Sequence, residues 1–289
     1  MIQSDHAGEK EVSLGMNFKP RPKVISVTSG KGGVGKTNIV ANLAIAFSKQ
    51  GKSVLVLDAD LGLGNIDVLL GLAPQYNLEH VILGEKSLSE VICDGPAGIK
   101  ILPTGSGIEE LTAMTPEQKL LLLSEFDRLE TSIDLFLIDT GAGISSNVLY
   151  FNTMAEEIIV ILTPEPTSLT DAYAIIKVLS QKYGEKQFRV IVNMTRNERD
   201  ARDVFQKLSM VSDRFLGVAI DYIGYISMDD YVPIAILEQK AVIESYPQAR
   251  SSREMNNLAA KIIRWPKSSI PKGNIQLFWK RMFEPATRG

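Results

Sequence analysis

Gly30-Lys31-Gly32-Gly33-Val34-Gly35-Lys36-Thr37 is the stretch of sequence that decides the fold. It fits the pattern G-x-x-x-x-G-K-[ST], in which glycines let backbone N–H groups turn inward around phosphate oxygens. That pattern has meaning only between a strand and a helix. Residues 24–28 form a β-branched run before it, and residues 36–49 have helical periodicity after it. The sequence therefore predicts a phosphate-binding loop.

Strand and helix signals alternate along the rest of the chain. Short β-branched runs predict buried parallel strands, and the segments between them carry apolar residues at helical spacing. This alternation predicts an α/β fold, a doubly wound and mostly parallel sheet flanked by helices, of the P-loop NTPase type. The predicted strands are 24–28, 54–58, 135–139, 158–162 and 189–193, and the predicted helices are 36–49, 116–129, 168–182 and 198–212.

Composition limits the function classes. The 289 residues carry a net charge of -3, so any contact with nucleic acid or anionic lipid requires a local basic patch. The single cysteine, Cys93, cannot form an intrachain disulfide, and the polar start lacks the apolar region of a signal peptide. No apolar run approaches the roughly 18 residues of a membrane span. We expect a cytoplasmic protein with at most peripheral membrane contact.

The predicted loop assigns roles to its residues. Lys36 is expected to reach the β and γ phosphates, the Thr37 hydroxyl to ligate Mg²⁺, and the helix N-terminus to add its dipole. ATP or ADP and Mg²⁺ are the expected cofactors. The expected nucleotide-binding residues are Gly30, Lys31, Gly32, Gly33, Val34, Gly35, Lys36, Thr37 and Asn38.

Two later strand ends carry further candidates. Leu135-Phe136-Leu137-Ile138-Asp139 places an acidic residue after four apolar ones, as in a Walker B strand, so Asp139 is expected to hold Mg²⁺ through water. Asn193 ends another strand, and its amide offers the donor and acceptor that suit the N6 and N7 edge of adenine. A turn-forming role for Asn193 is the alternative.

The second lysine of the loop, Lys31, carries a family resemblance. Gly-Lys-Gly-Gly-Val-Gly-Lys-Thr resembles the deviant Walker A motif of the family that includes MinD, ParA and the flagellar regulator FlhG, also called FleN. The resemblance implies an ATP-dependent homodimer in which Lys31 reaches the other subunit's phosphates, as an arginine finger does. An ordinary solvated lysine is the alternative. Lys31, Lys36 and Asp60 are thus the expected catalytic residues.

The carboxylates of Asp58-Ala59-Asp60 take their roles from the same resemblance. It implies that Asp60 orients and activates the attacking water, while Asp58 supports the Mg²⁺ shell or the Lys36 ammonium. A helix-capping or ion-pairing carboxylate is an equally good reading of Asp58. The metal residues are therefore expected to be Thr37, Asp58 and Asp139.

Three segments, 163–173, 139–145 and 193–198, resemble the flagellar branch of the family. The resemblance implies an ATPase that sets the number and placement of flagella. Its implied partners are an FlhF-type GTPase, flagellar switch proteins and, in some members of the branch, a transcriptional regulator.

The C-terminal segment has an amphipathic pattern. Apolar residues recur at helical spacing, and residues 261–289 contain seven Lys or Arg and one Glu. Such a helix can lie in an anionic membrane interface, and two copies in a dimer would bind with higher avidity. Docking on the protein's own core is the alternative. The apolar residues are Ile275, Phe278, Trp279, Met282 and Phe283.

The sequence divides into four parts. Residues 1–22 are predicted to be a flexible N-terminal segment, 23–265 the ATPase domain, 266–274 a linker and 275–289 the membrane-targeting segment. A ParA-like DNA-partitioning ATPase, a MinD-like division-site regulator and a module that sequesters a transcriptional regulator stay open as alternatives. DNA is the least expected partner because the chain has no overall positive charge.

Overall fold

The structure is a computed structural model that describes residues 22–60, 65–105, 115–130 and 132–266. The predicted N-terminal segment before residue 22, and the linker and membrane-targeting segment beyond residue 266, lie outside the described residues. The amphipathic residues from Ile275 onward are therefore not placed by the structure.

The described strands form one eight-stranded sheet in the order β3-β4-β2-β5-β1-β6-β7-β8. All neighbouring strands are parallel except β3, which pairs antiparallel with β4. The predicted doubly wound sheet is confirmed. The strands are β1 (Lys23–Ser29), β2 (Val54–Ala59), β3 (Cys93–Asp94), β4 (Lys100–Pro103), β5 (Leu135–Ala142), β6 (Glu157–Leu162), β7 (Gln187–Thr195) and β8 (Ala219–Ser227).

Helices cover both faces of the sheet. Successive residues of a strand face opposite sides, so Val54 and Val56 pack into one apolar cluster, while Leu55 and Leu57 pack into another. The helices are α1 (Lys36–Lys49), α2 (Ile66–Leu69), α3 (Leu78–Ile82), α4 (Leu88–Val91), α5 (Pro116–Glu130), α6 (Ser146–Met154), α7 (Pro166–Tyr183), α8 (Glu198–Leu216), α9 (Tyr231–Leu237), α10 (Val242–Ser245) and α11 (Arg250–Ile263).

Helix α1 is buried along most of its length. Eleven of its 14 residues are buried, because it lies between the sheet and α11. Its left-handed N-cap, Gly35, and the following Lys36 are thereby fixed at the end of β1. None of the described helices combines the length and apolar content that crossing a bilayer requires.

Three strands and one long helix were not predicted. β3 and β4 are too short to stand out, and β8 is an edge strand whose Asp221 and Tyr222 interrupt the apolar run. The missed helix, α11, buries one stripe and exposes charged residues on the other side. The four predicted helices all lie within observed ones, and the last three extend beyond their predicted ends.

Candidate nucleotide site

Parallel strands bring the candidate residues to one edge of the sheet. β2 and β5 are neighbours, and their register pairs Asp58 with Asp139. The phosphate loop leaves β1, which pairs with the other side of β5. A cavity of about 360 Å³ opens at this edge. The described residues lining it include Lys31, Gly32, Gly33, Val34, Gly35, Lys36, Thr37, Asn38 and Asp60.

The loop conformation depends on its glycines. Gly33 and Gly35 have φ of 77° and 85°, in the left-handed region that residues with a Cβ rarely adopt. Gly30 is needed for a different reason. A Cβ there would lie 2.0 Å from the carbonyl oxygen of Asp171, because the first turns of α7 cross directly over the start of the loop.

A buried ion pair joins the loop to β5. Lys36 Nζ donates to Asp139 Oδ1 over 2.7 Å, and both residues are buried. The second carboxylate oxygen, Asp139 Oδ2, accepts no hydrogen bond from the described residues. Burial raises the pKa of Asp139, and the Lys36 ammonium and the Thr37 hydroxyl oppose that rise. An orphaned buried carboxylate oxygen beside Thr37 fits a hydrated Mg²⁺ ion, which takes hard oxygen ligands.

Asp58 accepts two hydrogen bonds from the backbone. Its two oxygens accept hydrogen bonds from the backbone N–H of Asp60, at 3.3 Å, and of Ile66, at 3.1 Å. Burial, reinforced by the charge of Asp139, raises the pKa of Asp58 to about 6. The contact with Lys36 that we expected of Asp58 is instead made by Asp139. Asp58 therefore fixes the start of α2 and orients the backbone of Asp60.

Asp60 faces the glycine-rich end of β5. Its carboxylate oxygen would lie 3.1 Å from a Cβ placed on Gly141, and it also lines the phosphate-loop cavity. The side chain therefore lies between the phosphate loop and the end of β5. Residues 61–64, which follow it, lie outside the described part of the chain.

Lys31 extends away from Lys36. Its ammonium forms an ion pair with Glu165 and donates a hydrogen bond of 3.0 Å to Thr167 Oγ1, at the start of α7. The Lys31 side chain is 36% exposed. Lys31 thus lies at the rim of its own cavity and has partners that a competing anion can replace.

An apolar cavity of about 320 Å³ adjoins the phosphate loop. Asn193 lines it, and its Nδ2 donates to the carbonyl oxygen of Val34 over 2.8 Å, which leaves Oδ1 available to a ligand. The next residue, Met194, has a φ of 56°, a conformation that costs energy without a glycine. The apolar lining includes Ile39, Met194, Ile226, Met228, Val232, Pro233, Ile236 and Met255.

This cavity is lined by candidate functional residues that sequence reasoning missed. Residues 226–229, which end β8 and follow it, form one wall of this cavity together with Pro233, which stands further along the chain in α9. In the sequence, only the approximate distance of Pro233 from the end of β8 could have indicated that it lines this cavity. Glu254 on α11 supports this wall by accepting hydrogen bonds from the Ser227 backbone N–H, at 2.6 Å, and hydroxyl, at 2.8 Å.

The fold and the loop geometry define a P-loop ATPase. A family model described as an AAA domain matches residues 22–190. The chain is 42% identical to the antiactivator FleN of Pseudomonas aeruginosa over 266 residues, 92% of this chain and 95% of FleN. It is 32% identical to the flagellum site-determining protein YlxH of Helicobacter pylori, covering 92% of this chain and 91% of that one.

Solved structures agree with this class. A septum site-determining protein MinD from Pyrococcus horikoshii, complexed with Mg-ADP, superposes with a TM-score of 0.66 at 27% identity. The match covers 84% of this chain and 96% of that one. The chain belongs to the MinD/ParA family of deviant Walker A ATPases, and within that family it resembles the antiactivator FleN and the flagellum site-determining protein YlxH.

Proposed function

We propose that this ATPase regulates the number and placement of flagella by cycling between a monomer and an ATP-bound homodimer. The observation that carries the proposal is the position of Lys31. It lies at the rim of the cavity and is held by Glu165 and Thr167 rather than by its own phosphate site. A lysine so placed can exchange these partners for phosphate oxygens of a second protomer.

ATP is proposed to bind along both cavities, with its phosphates in the glycine loop and its base against Asn193 and Pro233. The proposed phosphate contacts are the loop residues from Gly30 to Asn38, with Thr37, Asp139 and, more remotely, Asp58 around Mg²⁺. Bound Mg²⁺ would neutralise charge on the phosphate oxygens. The orphaned Asp139 Oδ2 supports this assignment.

The residues of this chain then divide the catalytic work. Lys36 holds the phosphates, Asp60 orients the attacking water, and Asp58 positions Asp60 through its backbone N–H. Lys31 of the second protomer adds positive charge where the transferred phosphoryl group develops negative charge. An arginine finger in this role accelerates phosphoryl transfer by roughly 10³ to 10⁵-fold.

A Lys31→Ala substitution tests the dimer. Sedimentation velocity with a slowly hydrolysed ATP analogue should give a dimer for the unchanged chain and a monomer for the variant. Lys207→Ala, an exposed lysine on α8, is the matched control and should still dimerise. A Lys31→Ala protein that dimerises normally would remove the assigned role of this lysine.

Membrane association is proposed to follow dimerisation. The described chain ends where Trp265 stacks on Arg189, 4.0 Å from its ring centroid, so the proposed linker 266–274 starts from a fixed point. Residues 275–289 are proposed to lie in an anionic membrane surface on the cytoplasmic side. Co-sedimentation with liposomes should be ATP-dependent for the intact chain and lost in a chain that ends at Ser269.

The flagellar assignment rests on the similarity to YlxH, whose name refers to determining the site of the flagellum, together with the similarity to the antiactivator FleN. An FlhF-type GTPase, flagellar switch proteins and a transcriptional regulator are the proposed partners. Similarity to the septum site-determining protein MinD of Bacillus subtilis, 32% identical over 249 residues, favours division-site control as a second candidate. Deleting the gene separates the two, because flagellar control predicts altered flagella with normal septa, and division-site control predicts misplaced septa.

A further inference from the structure

Helix α9 is apolar and largely exposed. Its sequence is Tyr-Val-Pro-Ile-Ala-Ile-Leu, and only Ala235 is buried. We define the α9 surface by its exposed apolar side chains together with their neighbours, and the exposed fraction of each lies between 41% and 85%. The α9 surface consists of Val68, Met228, Tyr231, Ile234, Ile236 and Leu237.

The α9 surface is held in a fixed position. Asp229 accepts hydrogen bonds from the backbone N–H of Tyr231, at 3.0 Å, and of Ser251, at 2.9 Å, which ties the start of α9 to α11. Tyr231 stacks on Tyr246 with ring centroids 4.6 Å apart. At the other end, Gln239 Nε2 donates to the Val68 carbonyl oxygen over 3.2 Å. The apolar groups are thus presented by ordered backbone.

The α9 surface adjoins the nucleotide site. Ile236 lines both the phosphate-loop cavity and the apolar cavity, and Val68 lines the former. Side chains of this size expose roughly 150–200 Å² each when free, so the surface offers roughly 500 Å² of apolar area. An apolar patch of that size on a monomer is at the upper end of what is usual and marks an interaction site.

We propose that the α9 surface packs against a second copy of this chain and forms part of the ATP-dependent dimer interface. This inference rests on the dimer in the proposed function and adds the surface that stabilises it. A specific interface buries about 800 Å² on each partner, so the α9 surface alone supplies too little area for a constitutive dimer. Contacts across the nucleotide would supply the remainder, which makes association conditional on ATP.

The charges around α9 fit a copy of itself. Asp230 precedes the helix and Lys240 follows it, and both are exposed. If two α9 helices meet antiparallel across a two-fold axis, each Asp230 faces the Lys240 of the other protomer. A partner of uniform charge, such as an anionic membrane, would gain from Lys240 and lose at Asp230 and Glu238.

The first experiment measures the dimer with the slowly hydrolysed ATP analogue by sedimentation velocity. An Ile234→Ser/Leu237→Ser variant should dissociate at least tenfold more readily than the unchanged chain, while binding a fluorescent ATP analogue equally well. Met210→Ser/Phe215→Ser is the matched control. These two side chains are exposed apolar residues of α8, and the control should leave the dimer intact.

The outcomes distinguish this inference from the proposed function. If the unchanged chain stays monomeric with every nucleotide, the proposed dimer and the α9 interface both fail. If it dimerises and the Ile234→Ser/Leu237→Ser variant dimerises equally well, only the α9 interface fails. Exchanging the charges provides a second readout, because Asp230→Lys should weaken the dimer and adding Lys240→Asp should restore it.

A photo-crosslinking residue at position 237 identifies the occupant directly. An ATP-dependent crosslink between two chains supports the inference. A crosslink within one chain to residues 275–289, or to lipid in the presence of liposomes, would overturn it.

Discussion

The two halves of the proposed nucleotide site differ in how they are built. The phosphate half is polar and continuous in sequence, and a buried ion pair between Lys36 and Asp139 joins it to the neighbouring strand. The base half is apolar and assembled from separate elements, with Asn193 on β7, Pro233 on α9 and Met255 on α11.

This difference predicts how each half responds to substitution. A buried charge that loses its partner leaves an uncompensated charge at low dielectric, so the phosphate half should fail abruptly. Apolar contacts are distributed over many side chains, so the base half should weaken gradually. The four predictions below run from the largest expected effect to the smallest.

Lys36→Met should have the largest effect. It leaves Asp139 buried without its cation, which is expected to cost about 3–5 kcal/mol of unfolding free energy. It also removes the phosphate contact, so ATPase activity should fall at least a hundredfold. Urea unfolding without nucleotide and a phosphate-release assay measure the two effects.

The double variant Lys36→Met/Asp139→Asn is the control for this prediction. It removes the unpaired charge and should recover part of the lost stability without recovering activity. Equal stability of the single and double variants would mean that Asp139 does not carry a charge in the folded protein.

Gly30→Ala should have the next largest effect. The added Cβ would lie 2.0 Å from the Asp171 carbonyl oxygen, and this backbone atom can move only if α7 shifts. Overpacking typically costs about 1–3 kcal/mol, and a clash with backbone should lie at the upper end of this range or above it, measurable by urea unfolding. Gly32→Ala is the matched control, since its Cβ would meet nothing within 4 Å, and a similar loss there would mean that the loop rather than α7 is responsible.

The residues behind these two predictions differ in how far the sequence alone predicts their contacts. The roles of the loop follow from residues adjacent in the chain, and the acidic end of β5 is separated from it by a recognisable strand. The contact of Gly30 with Asp171 joins residues 141 positions apart, and no local pattern encodes it. The base wall was missed for the same reason, since Pro233 and Met255 meet only after α9 and α11 pack together.

The sequence predicts the position of Asp58 but not its contacts. The sequence located a carboxylate at the end of β2 but left open whether it holds a cation or backbone. In the structure it accepts hydrogen bonds from the backbone N–H groups of Asp60 and Ile66, the first residue of α2. The position of α2 next to Asp58 depends on tertiary packing and not on residues near Asp58 in the chain.

The pH dependence of stability should reveal the burial of Asp58. Its folded pKa of about 6 lies above the ordinary 3.8, so the folded state binds more protons than the unfolded state between these values. Stability from this residue is therefore greatest at low pH and falls as pH rises to about 6, by about 2–3 kcal/mol in total. Urea unfolding of the unchanged chain and of Asp58→Asn, from pH 4 to 7, isolates this contribution.

The Asp58→Asn variant shows the direction of the pH effect. Asp58→Asn should gain stability relative to the unchanged chain as pH rises, and the difference should level off above pH 6. A difference that does not vary with pH would mean that Asp58 titrates normally.

Asn193→Ala should have the smallest effect. Its amide donates to the Val34 carbonyl oxygen, so the loss should cost about 1 kcal/mol of stability. Because Nδ2 donates to Val34, Oδ1 is the atom that can accept a hydrogen bond from the N6 amino group of adenine. The same oxygen would repel the O6 acceptor of guanine. Competition binding with ATP and GTP should therefore show roughly a tenfold loss of discrimination, equivalent to about 1.4 kcal/mol.

The control for this substitution must lose a similar amount of stability away from the cavity. Asn197→Ala removes the side-chain cap that accepts from the Asp200 N–H at the start of α8, and should leave discrimination unchanged. If Asn193→Ala instead abolished ATP binding, the base half would depend on one polar contact as the phosphate half depends on Lys36. A graded loss would support distributed apolar contact as the source of affinity for the base, with Asn193 contributing selectivity.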